Sequence, residues 1–345
     1  MFPKNAWYVA CTPAEIDAKP LGRRICNEAI VFYRAGDGTV AALEDFCPHR
    51  GAPLSLGRVA DGKLVCGYHG LEMGCDGKTI HMPGQRVRNF PAIRAYPVVQ
   101  RHGFIWVWPG DAALADPATI HHCDWADNAD WAYGGGLFHI QCGVRLMVDN
   151  LMDLSHETYV HASSIGQKEI DETPTTTKFD GDHVTTARFM QGVMAPPFWK
   201  LALRGNHLPD DQLVDRWQIC HFALPSAVTI EVGVAPVGSG APEGDRSQGV
   251  EGVVVNFMTP ESATTCRYYW GMARSFGVRD AGLTERMRQS QAGVFDEDVV
   301  VLEAQQRNID LRPDLKLVTL GIDAGGAHAR RLMERAALES SKAPA

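Results

Sequence analysis

Two short stretches, CPHRG at 47–51 and CGYHG at 66–70, restrict this chain more than any other feature. Cys47 and His49 open one stretch, Cys66 and His69 the other, with sixteen residues between the halves. Each half reaches a glycine within two residues of its histidine, which suits tight loops wrapped around one compact cofactor. Two thiolates and two imidazoles could hold a structural zinc. Zinc fingers, however, more often keep each residue type in its own half. A cysteine and a histidine in each half let each loop supply one ligand to each iron of a [2Fe-2S] cluster, cysteines on one iron and histidines on the other. Cys75 and His81 follow closely and read as a packed thiol and an exposed imidazole.

The segment around these loops is β-like. From residue 6 to about 108, short apolar runs such as AWYVA, RICNEAIVFYR and GFIWVWPG alternate with Gly, Pro and Asp turn signals. WPGDAALADPATIHHCDW then reads as a connector, which puts a domain boundary near residue 115 and divides the chain into 1–115 and 116–345. Beyond it come a helical segment at about 146–162, alternating stretches such as DRWQICHF and AVTIEVGVAP, and two helical patterns, LTERMRQSQAGVFDEDVVVLEAQQRNI and AHARRLMERAALE. Strands followed by helices without βαβ alternation indicate an α+β second domain with an antiparallel sheet.

The helical segment carries a second constellation. DNLMDLSHETYVH places Asp153, His156 and His161 within nine residues. Asp153 and His156 share a helix face, while His161, five beyond His156, would be rotated off it, so a distortion or helix end near residue 160 is implied. Two imidazoles and one carboxylate form the facial triad of non-haem Fe(II) oxygenases, with positions left open for dioxygen. The acidic run FDEDVVVLEAQQ supplies the carboxylate. Phe295, Val299, Val301 and Leu302 centre on one helical face, Asp298 falls closest to it, Asp296 is the rival, and Glu297 lies nearly opposite, where a solvated charge belongs. Asp153 is then left to accept a hydrogen bond from a ligating histidine, to cap its helix or to form an ion pair, with Asn150 a donor nearby.

Composition narrows the partners. A formal net charge of −8 argues against nucleic acid or an anionic membrane, either of which needs a clustered basic surface. MFPKNAWYVACTP lacks the basic start and apolar run of a signal peptide, and no stretch reaches the roughly 18 apolar residues of a membrane span, so a cytoplasmic location is expected. Most of the nine cysteines should then be buried small hydrophobes rather than disulfides. No G-x-G-x-x-G follows a strand, and GGG at 134–136 lacks the spacing of a dinucleotide loop, so electrons must come from another protein.

With both constellations in view, the sequence resembles the oxygenase components of the Rieske non-haem iron aromatic ring oxygenases. CPHRGAPLSLG, CGYHGLEMGC, DNLMDLSHETYVHASSIGQKEIDE, APPFW, RWQIC and TPES carry the likeness over nearly the whole chain. The resemblance implies an N-terminal all-β Rieske domain using Cys47, His49, Cys66 and His69 for the [2Fe-2S] cluster. It also implies a helix-grip (START-like) α+β domain in which His156, His161 and Asp298 hold a mononuclear Fe(II). It further implies a homotrimer in which Asp153 bridges the cluster of one subunit and the iron of the next, and a separate reductase that brings NADH, flavin and iron–sulfur chemistry. The substrates would be O₂ and a small aromatic acid, for whose carboxylate Arg204, His207 and Asn256 are candidate partners. A redox carrier or zinc-stabilised binding protein is the competing expectation, and it gives residues 149–161 no purpose.

Overall fold

The computed structural model describes residues 1–342. Among them, the β-like runs of the first hundred residues form β1 (Tyr8–Cys11), β2 (Leu21–Ile25), β3 (Glu28–Arg34), β4 (Val40–Glu44), β5 (Arg58–Ala60), β6 (Lys63–Val65), β7 (Glu72–Met73), β8 (Thr79–His81), β9 (Ala95–Tyr96), β10 (Val98–Arg101) and β11 (Phe104–Val107). They pair in three antiparallel sheets, ordered β1-β11-β10, β2-β3-β4-β9 and β5-β6-β7-β8. Strand alternation explains how so short a strand as β3 serves two cores. Ile30 and Phe32 pack with Tyr8, Ile25, Ile105 and Val107, while Val31 and Tyr33 face the other way, onto Leu43, Leu54, Leu64 and Met73. Cys47 and Cys66 belong to this second core, so both metal-ligand loops are anchored on packed side chains.

The remaining strands are β12 (Ala132–Ile140), β13 (Thr176–Asp180), β14 (His183–Met194), β15 (Leu213–Ala223), β16 (Ala227–Pro236), β17 (Val250–Pro260) and β18 (Cys266–Arg274). They make one seven-stranded sheet ordered β12-β18-β17-β16-β15-β14-β13. Helices α1 (Val144–Met152), α2 (Glu157–Val160), α3 (Glu169–Glu172), α4 (Pro197–Gly205), α5 (Ala281–Leu311) and α6 (Ala324–Lys342) complete the fold. The long α5 lies against β12, β18, α1 and α4. Asp280 caps its start, the carboxylate accepting from Leu283 N at 2.8 Å. The GGG run makes close approach possible, because a Cβ on Gly134 would stand 3.3 Å from Thr284 Cγ2 of α5 and one on Gly136 3.0 Å from the Trp270 indole. This is the α+β, antiparallel arrangement expected for the second domain.

Two expectations change. The single cut near residue 115 is replaced by two interleaved units. One holds Met1–His121, Thr259–Ser262 and the segment from Ala336; the other holds His122–Met258 and Ala263–Arg335. Residues 259–262 join the first because Pro260 O and Glu261 O accept from the amides of Cys26 and Asn27 at 2.7 and 3.1 Å, and Thr259 Oγ1 donates to Val9 O at 2.7 Å. Second, the helix expected at 146–162 is broken. Asp153, the residue that ends α1, accepts from Ser155 N at 2.7 Å and Ser155 Oγ at 2.6 Å, and this local turn competes with helix continuation. Among the described residues no helix is long and apolar enough to cross a membrane.

Candidate metal centres

The two cysteine–histidine loops are built alike. In one, Cys47 N donates to Ala52 O at 2.9 Å and Gly51 N to Cys47 O at 2.8 Å; in the other, Cys66 N donates to Leu71 O at 2.8 Å and Gly70 N to Cys66 O at 3.0 Å. Gly51 and Gly70 take φ of 69° and 77°, the left-handed conformation that the glycines were expected to supply. Both thiols are buried, His49 is exposed and His69 half-buried, and the two rings stand 4.7 Å apart. Burial pushes the Cys47 thiol up, a cost that ligation of the thiolate removes. Among the described residues, the donors of these four side chains do not close on one point within 4.8 Å, as a single zinc requires, so the spread suits a two-iron cluster. All nine cysteines are free and eight are buried; the exposed one is Cys75, expected to be packed. Its sulfur lies 3.5 Å from the Tyr33 hydroxyl.

The second centre forms where the helix break and α5 meet. His156 stands just before α2 and His161 just after it, and this single turn reverses the two rings toward each other. His156 Nε2 and His161 Nε2 are 3.2 Å apart, and Asp298 Oδ1 lies 3.5 and 3.2 Å from them. Donors about 2.1 Å from one ion, at right angles, stand roughly 3 Å apart, so the three fit a facial set. Asp298 is 5% exposed whereas Asp296 faces solvent, which resolves the choice that periodicity left open. Asn150 Nδ2 donates to Asp298 Oδ1 at 2.9 Å and lies 3.4 Å from His156 Nε2. Burial would raise the Asp298 pKa, but the two imidazoles overcome it and hold the group down to about 2. Burial opposes a charged His156, yet Asp153 and Asp298 push it up to about 10.

Glu297 departs from expectation. Instead of a solvated charge, it sits with Oε2 2.7 Å from His161 Nδ1 and accepts from Ser163 Oγ at 3.1 Å and Ser164 Oγ at 3.0 Å. It therefore fixes the His161 tautomer with Nε2 toward the ligand set. Asp153 does no such service for His156: its Oδ2 lies 3.7 Å from Nδ1, too far for a hydrogen bond, and Nδ1 is buried without a partner. Adjacency to Asp298 was the one sequence signal for Glu297, and helical periodicity pointed away from it. Glu297→Ala is expected to weaken iron binding about 10- to 100-fold, read by chelator titration of the purified protein, with partial recovery in Glu297→Gln. Unchanged retention in the alanine variant would show that His161 needs no orienting partner.

A cavity opens beside this centre. Leu151, Ile165, Phe198, Trp199, Val232 and Phe295 supply apolar walls that fit an aromatic ring. A buried network that sequence reading missed lines the cavity as well, although RWQIC places Arg216 and Gln218 on one strand face. Arg216 Nη2 meets Glu157 Oε2 at 3.3 Å, and Gln218 Nε2 donates to both Glu157 oxygens at 2.6 and 2.8 Å. Arg216 Nη1 also donates to Ile165 O at 3.0 Å and Gln167 Oε1 at 2.6 Å, bracing the loop after His161. Arg188 braces the break before His156, donating to Leu154 O and Thr173 O. None of the expected carboxylate partners lines the cavity. Arg204 is exposed and paired with Asp210. His207 takes φ of 56° where α4 ends. Asn256 is fully buried, donating to Val228 O at 2.8 Å and accepting from Tyr268 OH at 2.6 Å.

A cluster-binding β domain joined to an α+β domain with two histidines and an aspartate beside an apolar cavity defines an iron-dependent oxygenase. Residues 6–97 match the Rieske [2Fe-2S] domain, and residues 140–339 match the vanillate O-demethylase oxygenase C-terminal domain. The chain belongs to the vanillate O-demethylase oxygenase family of Rieske non-haem iron oxygenases. It is 65% identical over 335 residues to the vanillate O-demethylase oxygenase subunit of Pseudomonas sp. (strain HR199 / DSM 7063), covering 97% of this chain and 95% of that one. Among solved structures, dicamba monooxygenase bound to 3,6-dichlorosalicylic acid superposes with a TM-score of 0.90 at 33% identity, covering 99% of each chain. Dicamba monooxygenase with non-haem iron and dicamba gives 0.82, also at 33% identity and 99% of each chain.

Proposed function

We propose that this chain is the oxygenase component of a two-component monooxygenase that O-demethylates vanillate to protocatechuate and formaldehyde. The observation that carries this reading is the 65% identity to a vanillate O-demethylase oxygenase subunit across 97% of the chain. In it, Cys47, His49, Cys66 and His69 hold the cluster, and His156, His161 and Asp298 hold the mononuclear iron. The metals, when bound, supply electron storage and the oxidation of an unactivated methyl C–H bond by dioxygen, which no side chain can perform. The chain's own residues bind and orient. Asn150 holds Asp298 Oδ1, Glu297 sets the His161 ring, and the apolar walls seat the aromatic ring and exclude water. The methyl carbon leaves as formaldehyde, and the ether oxygen stays on the ring as a phenol.

Electrons come from a separate NADH-dependent flavin and iron–sulfur reductase, since among the described residues nothing resembles a dinucleotide loop. A homotrimer in which Asp153 lies between the cluster of one subunit and His156 of the next accounts for a carboxylate that is not spent on His156. Nine free cysteines favour a cytoplasmic setting. With a matched reductase, NADH and vanillate, formaldehyde and protocatechuate should appear together, from protein carrying three irons and two acid-labile sulfides per chain. NADH loss without formaldehyde counts against vanillate as substrate, and stoichiometric zinc counts against the whole reading.

A further inference from the structure

The buried stripe of α5 runs Leu283, Met287, Gln291, Val294, Phe295, Asp298, Leu302 and Gln306, apolar except at three positions. Two of the three are accounted for. Asp298 faces the histidines, and Gln306 accepts from Gly143 N at 2.9 Å and donates to Asp310 at 2.8 Å. Gln291 is 8% exposed, lines the cavity, and has no partner for its side-chain amide among the described residues. Its amide is not sealed within the protein, so its N–H and C=O are open to a molecule bound in the cavity.

Other polar groups around the cavity are already committed. Asn150 serves Asp298, and the Arg216 charge is matched by Glu157. Arg216 Nε and Gln218 Oε1 also lack partners, but both atoms are sealed from solvent, whereas the Gln291 amide is not among the sealed atoms. Seven residues separate Gln291 from Asp298, two helical turns on the same face, about 10 Å along the axis. A methoxybenzoate whose methoxy group points at the His156, His161 and Asp298 end therefore has its far edge near Gln291. In vanillate the hydroxyl is ortho to the methoxy group and stays at the metal end, while the meta carboxylate reaches the other.

Resting on the function proposed above, we propose that Gln291 is the specificity residue that receives the ring carboxylate, its side-chain N–H donating to that anion. Placing the anion two turns from Asp298 also keeps like charges apart. The test measures vanillate binding to the oxygenase by calorimetry, together with KM and kcat, in Gln291→Leu and Gln291→Glu. Guaiacol, the same ring without the carboxylate, serves as the comparison ligand. Gln291→Leu should weaken vanillate about 10- to 100-fold in Kd and KM, with the loss on KM rather than kcat, and Gln291→Glu should weaken it further. Guaiacol should move far less in both variants. Unchanged vanillate affinity in Gln291→Leu overturns the assignment, and so does an equal loss for guaiacol, which marks a packing role. A wild-type protein that neither binds nor demethylates vanillate overturns the proposed function itself, a result separable from either.

Discussion

Asp298→Ala should yield a folded protein that keeps its Rieske visible and EPR spectra, retains no mononuclear iron and forms no formaldehyde. Among the described residues, Asp298 is the one buried carboxylate whose oxygen lies within 3.5 Å of both imidazole Nε2 atoms. Its removal leaves two nitrogens 3.2 Å apart and no anion between them. The loss of iron affinity must exceed the about 10- to 100-fold that removal of an outer carboxylate costs, because a ligand itself is gone. Asp153→Asn provides the contrast. Asp153 makes no hydrogen bond to His156, so both metals should stay bound, while electron delivery, and with it oxygen-dependent turnover, should fall sharply. Iron per chain, cluster EPR and formaldehyde together separate the two variants. Full iron in Asp298→Ala would remove Asp298 from the ligand set, and loss of iron in Asp153→Asn would make Asp153 an orienting residue instead.

The metal-binding residues were legible because metal chemistry imposes residue types and spacings that a single sequence displays. Asp298 emerged from periodicity because α5 is long and regular, although its neighbour Val301 proved 41% exposed. Residues whose roles depend on what packs opposite stayed hidden. Glu297 points away from the apolar stripe, as helical geometry requires, and meets His161 and Ser164 only because the loop after α2 folds back over that side. The break at Asp153 was hidden for a related reason: an Asx-type turn competes with a helix by a small margin, and what surrounds residues 153–156 decides which wins. Arg204 and His207 were attractive as cations, but a cation beside Asp210 on a helix end is satisfied where it stands, whereas Gln291, uncharged and mid-helix, drew no notice.

Glu157→Ala is expected to lower the unfolding free energy by about 3–5 kcal/mol, because it strands the Arg216 guanidinium, 1% exposed, without its counter-charge and leaves the Gln218 amide without an acceptor. Surface substitutions fall within about 0.5 kcal/mol, so a denaturant midpoint reads the difference cleanly. A double substitution, Glu157→Leu with Arg216→Met, removes both charges and should recover the part of the loss due to the stranded guanidinium, though not the part due to the Gln218 amide, since replacing a buried ion pair by apolar groups is often neutral or better. The two properties of the network then separate. Arg216 Nη1 is also the donor that ties Ile165 and Gln167, in the loop after His161, to β15. The double variant lacks that tie, so it should fold stably yet release iron to chelator faster than the wild type, whereas Glu157→Ala keeps the Arg216 donor and should lose stability with the tie in place. Full iron retention in the double variant would reduce the network to a core element with no hold on the metal loop, and an unshifted midpoint in Glu157→Ala would deny that the buried pair is formed at all.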